Sequence, residues 1–157
     1  MTASALSPPD VSTGRRVVVG MDDDPASLDA LRFAATEAAY RGGEVVAIHV
    51  WRYPTSWGYP MVWPEDASPD KFFLAELTRR IAQVHAERAR AGEAEVPITA
   101  QVVEGVDALA LTTAAESAGL LVLGARHHNR FLGSVSQACI NHPVCPVVVV
   151  PHTEASP

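Results

Sequence analysis

Five short apolar runs alternate with four helix-like segments along this chain, and that alternation limits the possible folds more than any other feature. The runs are Arg16 to Gly20 (R-V-V-V-G), Val45 to Trp51, Ile98 to Val103, Leu120 to Leu123 and Val147 to Val150. The first fits a strand buried on both faces and the second a further buried strand; the other three read as strands three to five. The segments between them carry helical signals. Asp24-Pro25 supplies an N-cap and a first-turn proline. Leu28, Leu31, Ala35 and Ala38 then follow at helical spacing until Gly42-Gly43. Ser68-Pro69 opens a second helix, whose stripe is Phe73, Leu77, Ile81 and Val84 and which closes at Ala91-Gly92. Val106 to Ala118 is a third, ended by Gly119. Ser134 to Asn141 is a fourth, stopped before Pro143. Regular alternation of this kind predicts an α/β fold: a doubly wound, five-stranded parallel sheet with helices on both faces. In strand order 3-2-1-4-5 the first and fourth strands are central neighbours. Ligands of such sheets bind beyond the carboxyl ends of the strands, where the order reverses. The Met21 to Asp24 turn and the loop at Gly124 would meet there.

The chain has 157 residues, enough for one domain, and 48% of them are hydrophobic, so a core can form. Residues 1–14 read as a disordered lead-in, 15–152 as the folded domain and 153–157 as a tail. The net charge of −6, with no basic run beyond Arg15-Arg16 and Arg79-Arg80, argues against nucleic acid as a partner. No secretory signal and no apolar run of membrane-spanning length is present in the sequence, so the expected compartment is the cytoplasm. Cys139 and Cys145 fit no zinc or redox spacing and read as small buried hydrophobes. Together with His127, His128 and His142 they match no ligand pattern, so no metal site is expected.

Gly124 to Ser136 (G-A-R-H-H-N-R-F-L-G-S-V-S) reads as a phosphate cradle in outline. An apolar strand runs into a glycine, a short loop follows, and Gly-Ser opens a helix. Glycine admits close backbone approach to a ligand, and the free N–H groups of a helix start favour an anion. A further segment, Arg52 to Pro69, holds Trp57, Tyr59, Met61 and Trp63. These are too many large apolar groups for a freely solvated loop. Either they fold back as a local cluster, or some close over the ligand site or a partner surface.

In its motifs the chain resembles the universal stress protein family over nearly its whole length. The matching stretches are V-V-V-G-M-D with P-A-S-L-D-A-L-R-F-A, V-V-A-I-H-V-W, V-V-E-G, L-L-V-L-G-A-R, and L-G-S-V-S-Q-A-C-I-N-H-P-V-C-P-V-V-V-V-P. The resemblance implies a dimer, a stress-related regulatory role without strong catalysis (at most a weak ATPase), and binding of ATP or a related adenine nucleotide. Carried over residue by residue, Asp22 would accept hydrogen bonds from the ribose hydroxyls. Gly20 and Met21 would supply backbone near the sugar and base, and Val50 would meet the adenine. Leu123 and Gly124 would line the phosphate entry. Gly133, Ser134 and Val135 would hold phosphate oxygens through backbone N–H groups. Homodimerisation would use the edge of the fifth strand, and an unidentified regulatory protein would be a further partner.

The nucleotide-binding pattern of the family is G-x2-G-x9-G-[S/T]. Here His127 stands at the second glycine, and five residues, His128 to Leu132, separate it from Gly133. The shorter loop offers fewer donors, and Asp23 and Asp24 add carboxylates after the first strand, which would repel a triphosphate unless a cation such as Mg²⁺ intervenes. Arg126, His127, His128 and Arg130 add positive charge at the same mouth. AMP or cyclic AMP therefore stands beside ATP as a candidate ligand. The alternative reading is a nucleotide-free dimeric interaction protein of the same family. A response-regulator receiver is excluded, because Glu104-Gly105 and Pro151-His152 occupy the places of its second aspartate and its lysine. An adenylating enzyme would need S-G-G-x-D-S where this chain has G-M-D-D-D-P.

Overall fold

A computed structural model describes residues 14–52, 68–125 and 133–152. Its elements are β1 (Arg16–Met21), α1 (Pro25–Arg41), β2 (Glu44–Trp51), α2 (Pro69–Arg90), β3 (Ile98–Glu104), α3 (Asp107–Ala115), β4 (Leu120–Ala125), α4 (Ser134–Asn141) and β5 (Val147–Pro151). All strand pairs are parallel, as the alternation of runs predicts, and the sheet order is β3-β2-β1-β4-β5, the expected arrangement with β1 and β4 as neighbours.

Period-two alternation along the central strands divides the core into two layers. Val17, Val19 and Met21 of β1 face α1 and α2, where they meet Leu31, Ala34, Ala35, Leu77, Ile81 and Val84. Val18 faces the opposite layer, with Val46, Ile48, Leu111, Leu121, Leu123 and Cys139. Helices α1 and α2 begin where their capping residues predict. Asp24 accepts the Ala26 N–H (2.9 Å) and Ser68 accepts the Lys71 N–H (3.3 Å), each just before a proline. The left-handed Gly42 (φ 61°) ends α1, a conformation that glycine adopts at no steric cost.

Three sequence expectations change. Helix α3 stops at Ala115, three residues before the expected Ala118. Its end tightens, with the Ala118 N–H bonding to the Ala115 carbonyl (3.0 Å), and the Gly119 N–H turns to the Arg16 carbonyl (2.9 Å). A Cβ on Gly119 would lie 2.3 Å from the Gly14 carbonyl oxygen, so the chain passes too close to the residues just before β1 for any larger residue. Strand β4 runs two residues past Leu123, because Gly124 and Ala125 pair with Val150 and Pro151. Gly124 thus belongs to the strand and not to the loop. Finally, Cys139 is fully buried as expected, but Cys145 is only half-buried. The aromatic residues of segment 53–67 and the tails at 1–13 and 153–157 lie outside the described residues.

Candidate nucleotide-binding crevice

At the carboxyl ends of β1 and β4 lies a cavity of about 180 Å³. Gly20, Met21, Asp22, Val50, Leu123, Gly124, Gly133, Ser134 and Val135, all singled out in the sequence, line it. His127, the remaining candidate, lies outside the described residues, as do Arg126, His128 and Arg130.

One wall is the β1–α1 turn. The chain leaves the sheet at Asp22 and must reverse within three residues to start α1. Asp22 Oδ1 accepts the Asp24 N–H (2.9 Å), which closes an Asx turn. The Ser27 hydroxyl, in the first turn of α1, lies 2.9 Å from the carbonyl oxygens of both Asp22 and Asp24. Arg80 reaches in from α2 and donates from Nη1 to the Asp22 carbonyl (2.7 Å) and to Ser27 Oγ (2.8 Å).

The opposite wall is the start of α4. Gly133 is its N-cap, with φ −60° and ψ 160°, and no side chain caps the helix. The N–H groups of its first turn have no acceptor within the helix, and the positive end of its dipole faces the cavity. A Cβ on Gly133 would meet nothing within 4 Å, and its φ suits any residue. Among the described residues, neither backbone conformation nor packing accounts for a glycine there. An open cradle in front of unspent N–H groups suits an anion.

Gly124 differs. Its absent Cβ would lie 2.6 Å from the Ala26 carbonyl oxygen, so this glycine lets α1 pack onto β4. The sequence assigned it to close ligand approach. The structure gives it a packing reason as well as a place in the lining. Gly20 likewise faces Leu123 and Leu111, with a Cβ falling 2.9 Å and 3.1 Å from their methyl groups.

The floor is apolar, from Ile48, Val50 and Leu111. Asp107, at the first position of α3, and Ser27 and Ser136, both buried, complete the lining. The sequence reading missed these. Asp107 follows Gly105 at a strand exit, the same signal that drew attention to Asp22. Ser27 and Ser136 carry no local mark, and Arg80 sits mid-helix and 58 positions from Asp22. On the far face of β2, burial holds His49 below its ordinary value, so it is neutral at pH 7, and it stacks on Phe73 at 4.2 Å. The described walls enclose less than the roughly 300–1,000 Å³ of clefts that bury drug-sized ligands, enough for part of a nucleotide.

Residues 14–151 match the model of the universal stress protein family. The chain belongs to that family. A universal stress protein of Mycobacterium tuberculosis is 31% identical over 153 residues, covering 90% of this chain and 46% of that protein. The chain thus spans about half the length of the curated relatives it matches. Among solved structures, a universal stress protein in complex with cAMP superposes with a TM-score of 0.61 at 23% identity, covering 88% of this chain and 97% of that one. A universal stress protein from Archaeoglobus fulgidus in complex with dAMP gives 0.60 at 19% identity, covering 86% and 96%. At these identities the likeness is one of fold.

Proposed function

We propose that this universal stress protein binds an adenine nucleotide in the crevice between the β1–α1 turn and the α4 start, and regulates rather than catalyses. One observation carries the reading. A single cavity is bounded by a carboxylate-bearing turn, by the uncapped N-terminus of α4 and by an apolar floor. These match the three parts of a nucleotide. Asp22 offers an acceptor to ribose hydroxyls. The Gly133, Ser134 and Val135 backbone suits a phosphate. Ile48, Val50 and Leu111 suit a base. That relatives of the same fold were solved with cAMP and with dAMP supports the choice of adenine.

A monophosphate, linear or cyclic, suits this arrangement better than ATP. Carboxylates crowd the crevice: Asp22 and Asp107 line the cavity, and Asp23 and Asp24 adjoin it. A triphosphate would need Mg²⁺ to offset those carboxylates. The cytoplasm is the expected compartment, with a regulatory protein as the downstream partner. Mass spectrometry of small molecules released from freshly purified protein, followed by calorimetry with AMP, cyclic AMP and ATP with and without Mg²⁺, tests the reading. Binding of AMP or cyclic AMP is expected, with ATP weaker in the absence of Mg²⁺ and no phosphate release above buffer. No released nucleotide and no heat with any of them would leave the nucleotide-free dimeric interaction protein as the function.

A further inference from the structure

We infer that Arg80 is the positioning residue of the ribose anchor, an inference that rests on the nucleotide reading of the crevice. Arg80 belongs to α2 and its side chain is only 14% exposed. Its Nη1 donates to the Asp22 carbonyl (2.7 Å) and to Ser27 Oγ (2.8 Å), and Nη2 lies 3.5 Å from the Asp23 carbonyl. One guanidinium therefore spans the acceptors of the turn on which Asp22 rides. From the other side Glu76, one helical turn earlier, holds its Nε at 3.4 Å.

A turn of three consecutive aspartates, Asp22 to Asp24, is electrostatically unfavourable. Its carboxylates repel one another, and its carbonyls point away from the strand ladder. A planar, permanently charged fork satisfies several such acceptors at once and offsets the charge, which an ammonium on a flexible stem does less well. Arg80 does not itself line the cavity. It acts through the Asp22 backbone and through Ser27, which lines the cavity and is 2% exposed. The aim of the Asp22 carboxylate toward a ribose then depends on a side chain of another helix.

The test compares AMP with 2′,3′-dideoxy-AMP by calorimetry on the wild-type protein and on Arg80→Met and Arg80→Lys. Methionine keeps the buried aliphatic stem and removes every donor; lysine keeps the charge and an ammonium donor group but loses the planar fork. In the wild type AMP should bind at least tenfold tighter than the dideoxy analogue. Arg80→Met should lose about tenfold for AMP and leave the analogue within twofold, so that the preference disappears. Arg80→Lys should be intermediate. A purely structural arginine would lower the melting temperature, or affinity for both ligands together, and leave the preference intact; that result overturns the inference while the nucleotide reading stands. If the wild type binds neither ligand, the nucleotide reading falls and this inference with it. Should Arg80→Met fail to fold, a preference in Arg80→Lys equal to the wild type would overturn the inference, and a reduced one would support it.

Discussion

Asp22 serves the turn and the cavity through different atoms. Its Oδ1 closes the Asx turn on Asp24, its carbonyl receives Arg80, and the residue lines the crevice. Replacing Asp22 with alanine should therefore weaken nucleotide binding tenfold or more, since a charge-assisted hydrogen bond is typically worth ~1.5–3 kcal/mol. Titration calorimetry measures this, and an unchanged affinity would move the site elsewhere. Gly133→Val separates binding from stability. Among the described residues the space in front of Gly133 is open, and its φ is ordinary, so the melting temperature should stay at the wild-type value while the β-branched side chain fills the cradle and abolishes binding. Asp22 and Gly133 were legible in the sequence because each stands at a strand exit or a helix start, which local pattern reveals. Ser27, Ser136 and Arg80 were not, because their contributions exist only once distant segments meet.

At the scale of elements, the crevice depends on how closely α1 approaches β4. The two are in contact at Gly124, whose added Cβ would lie within 2.6 Å of Ala26 backbone atoms and 2.8 Å of the Ser27 nitrogen. Backbone cannot yield as a side-chain tip can. Gly124→Ala should cost about 1–3 kcal/mol. It should also weaken nucleotide binding, because the displaced first turn of α1 carries Ser27. A thermal melt should thus separate the two variants, unchanged for Gly133→Val and lowered for Gly124→Ala, though both glycines belong to the same sequence pattern. Helix α3 shows a limit of pattern reading. Its apolar and alanine-rich sequence favours continuation to Ala118, but Gly119 must pass against Gly14, and the helix ends three residues early.

On the scale of the whole molecule, an ionic network joins α1, α2 and the end of β5. Arg32 bonds Glu87 (2.8 Å) and Asp29 (2.8 Å), and His152 Nδ1 lies 2.6 Å from Asp29. The Arg32 guanidinium holds Glu87 down at about 2, against an ordinary 4.5. Burial alone would raise Asp29, but the hydrogen bonds from His152 and Arg32 outweigh it and lower it. A depressed carboxylate stabilises the fold above its unfolded value and loses that stabilisation as pH falls through the folded one. These two carboxylates should therefore make stability fall from pH 4.5 toward 2, after the earlier loss that His49, held down by burial, brings as pH falls below its ordinary 6.5. Glu87 is a third exposed, so solvent screening leaves its share at about 1 kcal/mol. Melting curves from pH 7 to 3 should show the slope, and Glu87→Gln should flatten it. One edge of the sheet is β5, with Val147 to Val150 half-buried and Ile140 and Val144 exposed beside it. Apolar edges are usually paired or covered, so a homodimer across β5 is expected in sedimentation at micromolar concentration. Val144→Glu should shift it toward monomer, and a wild-type monomer would refute the pairing.

The sequence by itself determined the element types, their order, the parallel sheet and the identity of the residues at strand exits. Those properties are local: two-sided burial requires unbroken apolar runs, and caps announce helix ends within a few residues. The motif blocks added the family. Tertiary structure alone decided that Gly124 is set against α1, while Gly133 meets no neighbour among the described residues. It alone brought Asp107 and the buried Ser27 and Ser136 to the same cavity, and laid Arg80 across the aspartate turn. Such facts depend on distances between segments far apart in the chain, and a one-dimensional pattern carries no distance between them.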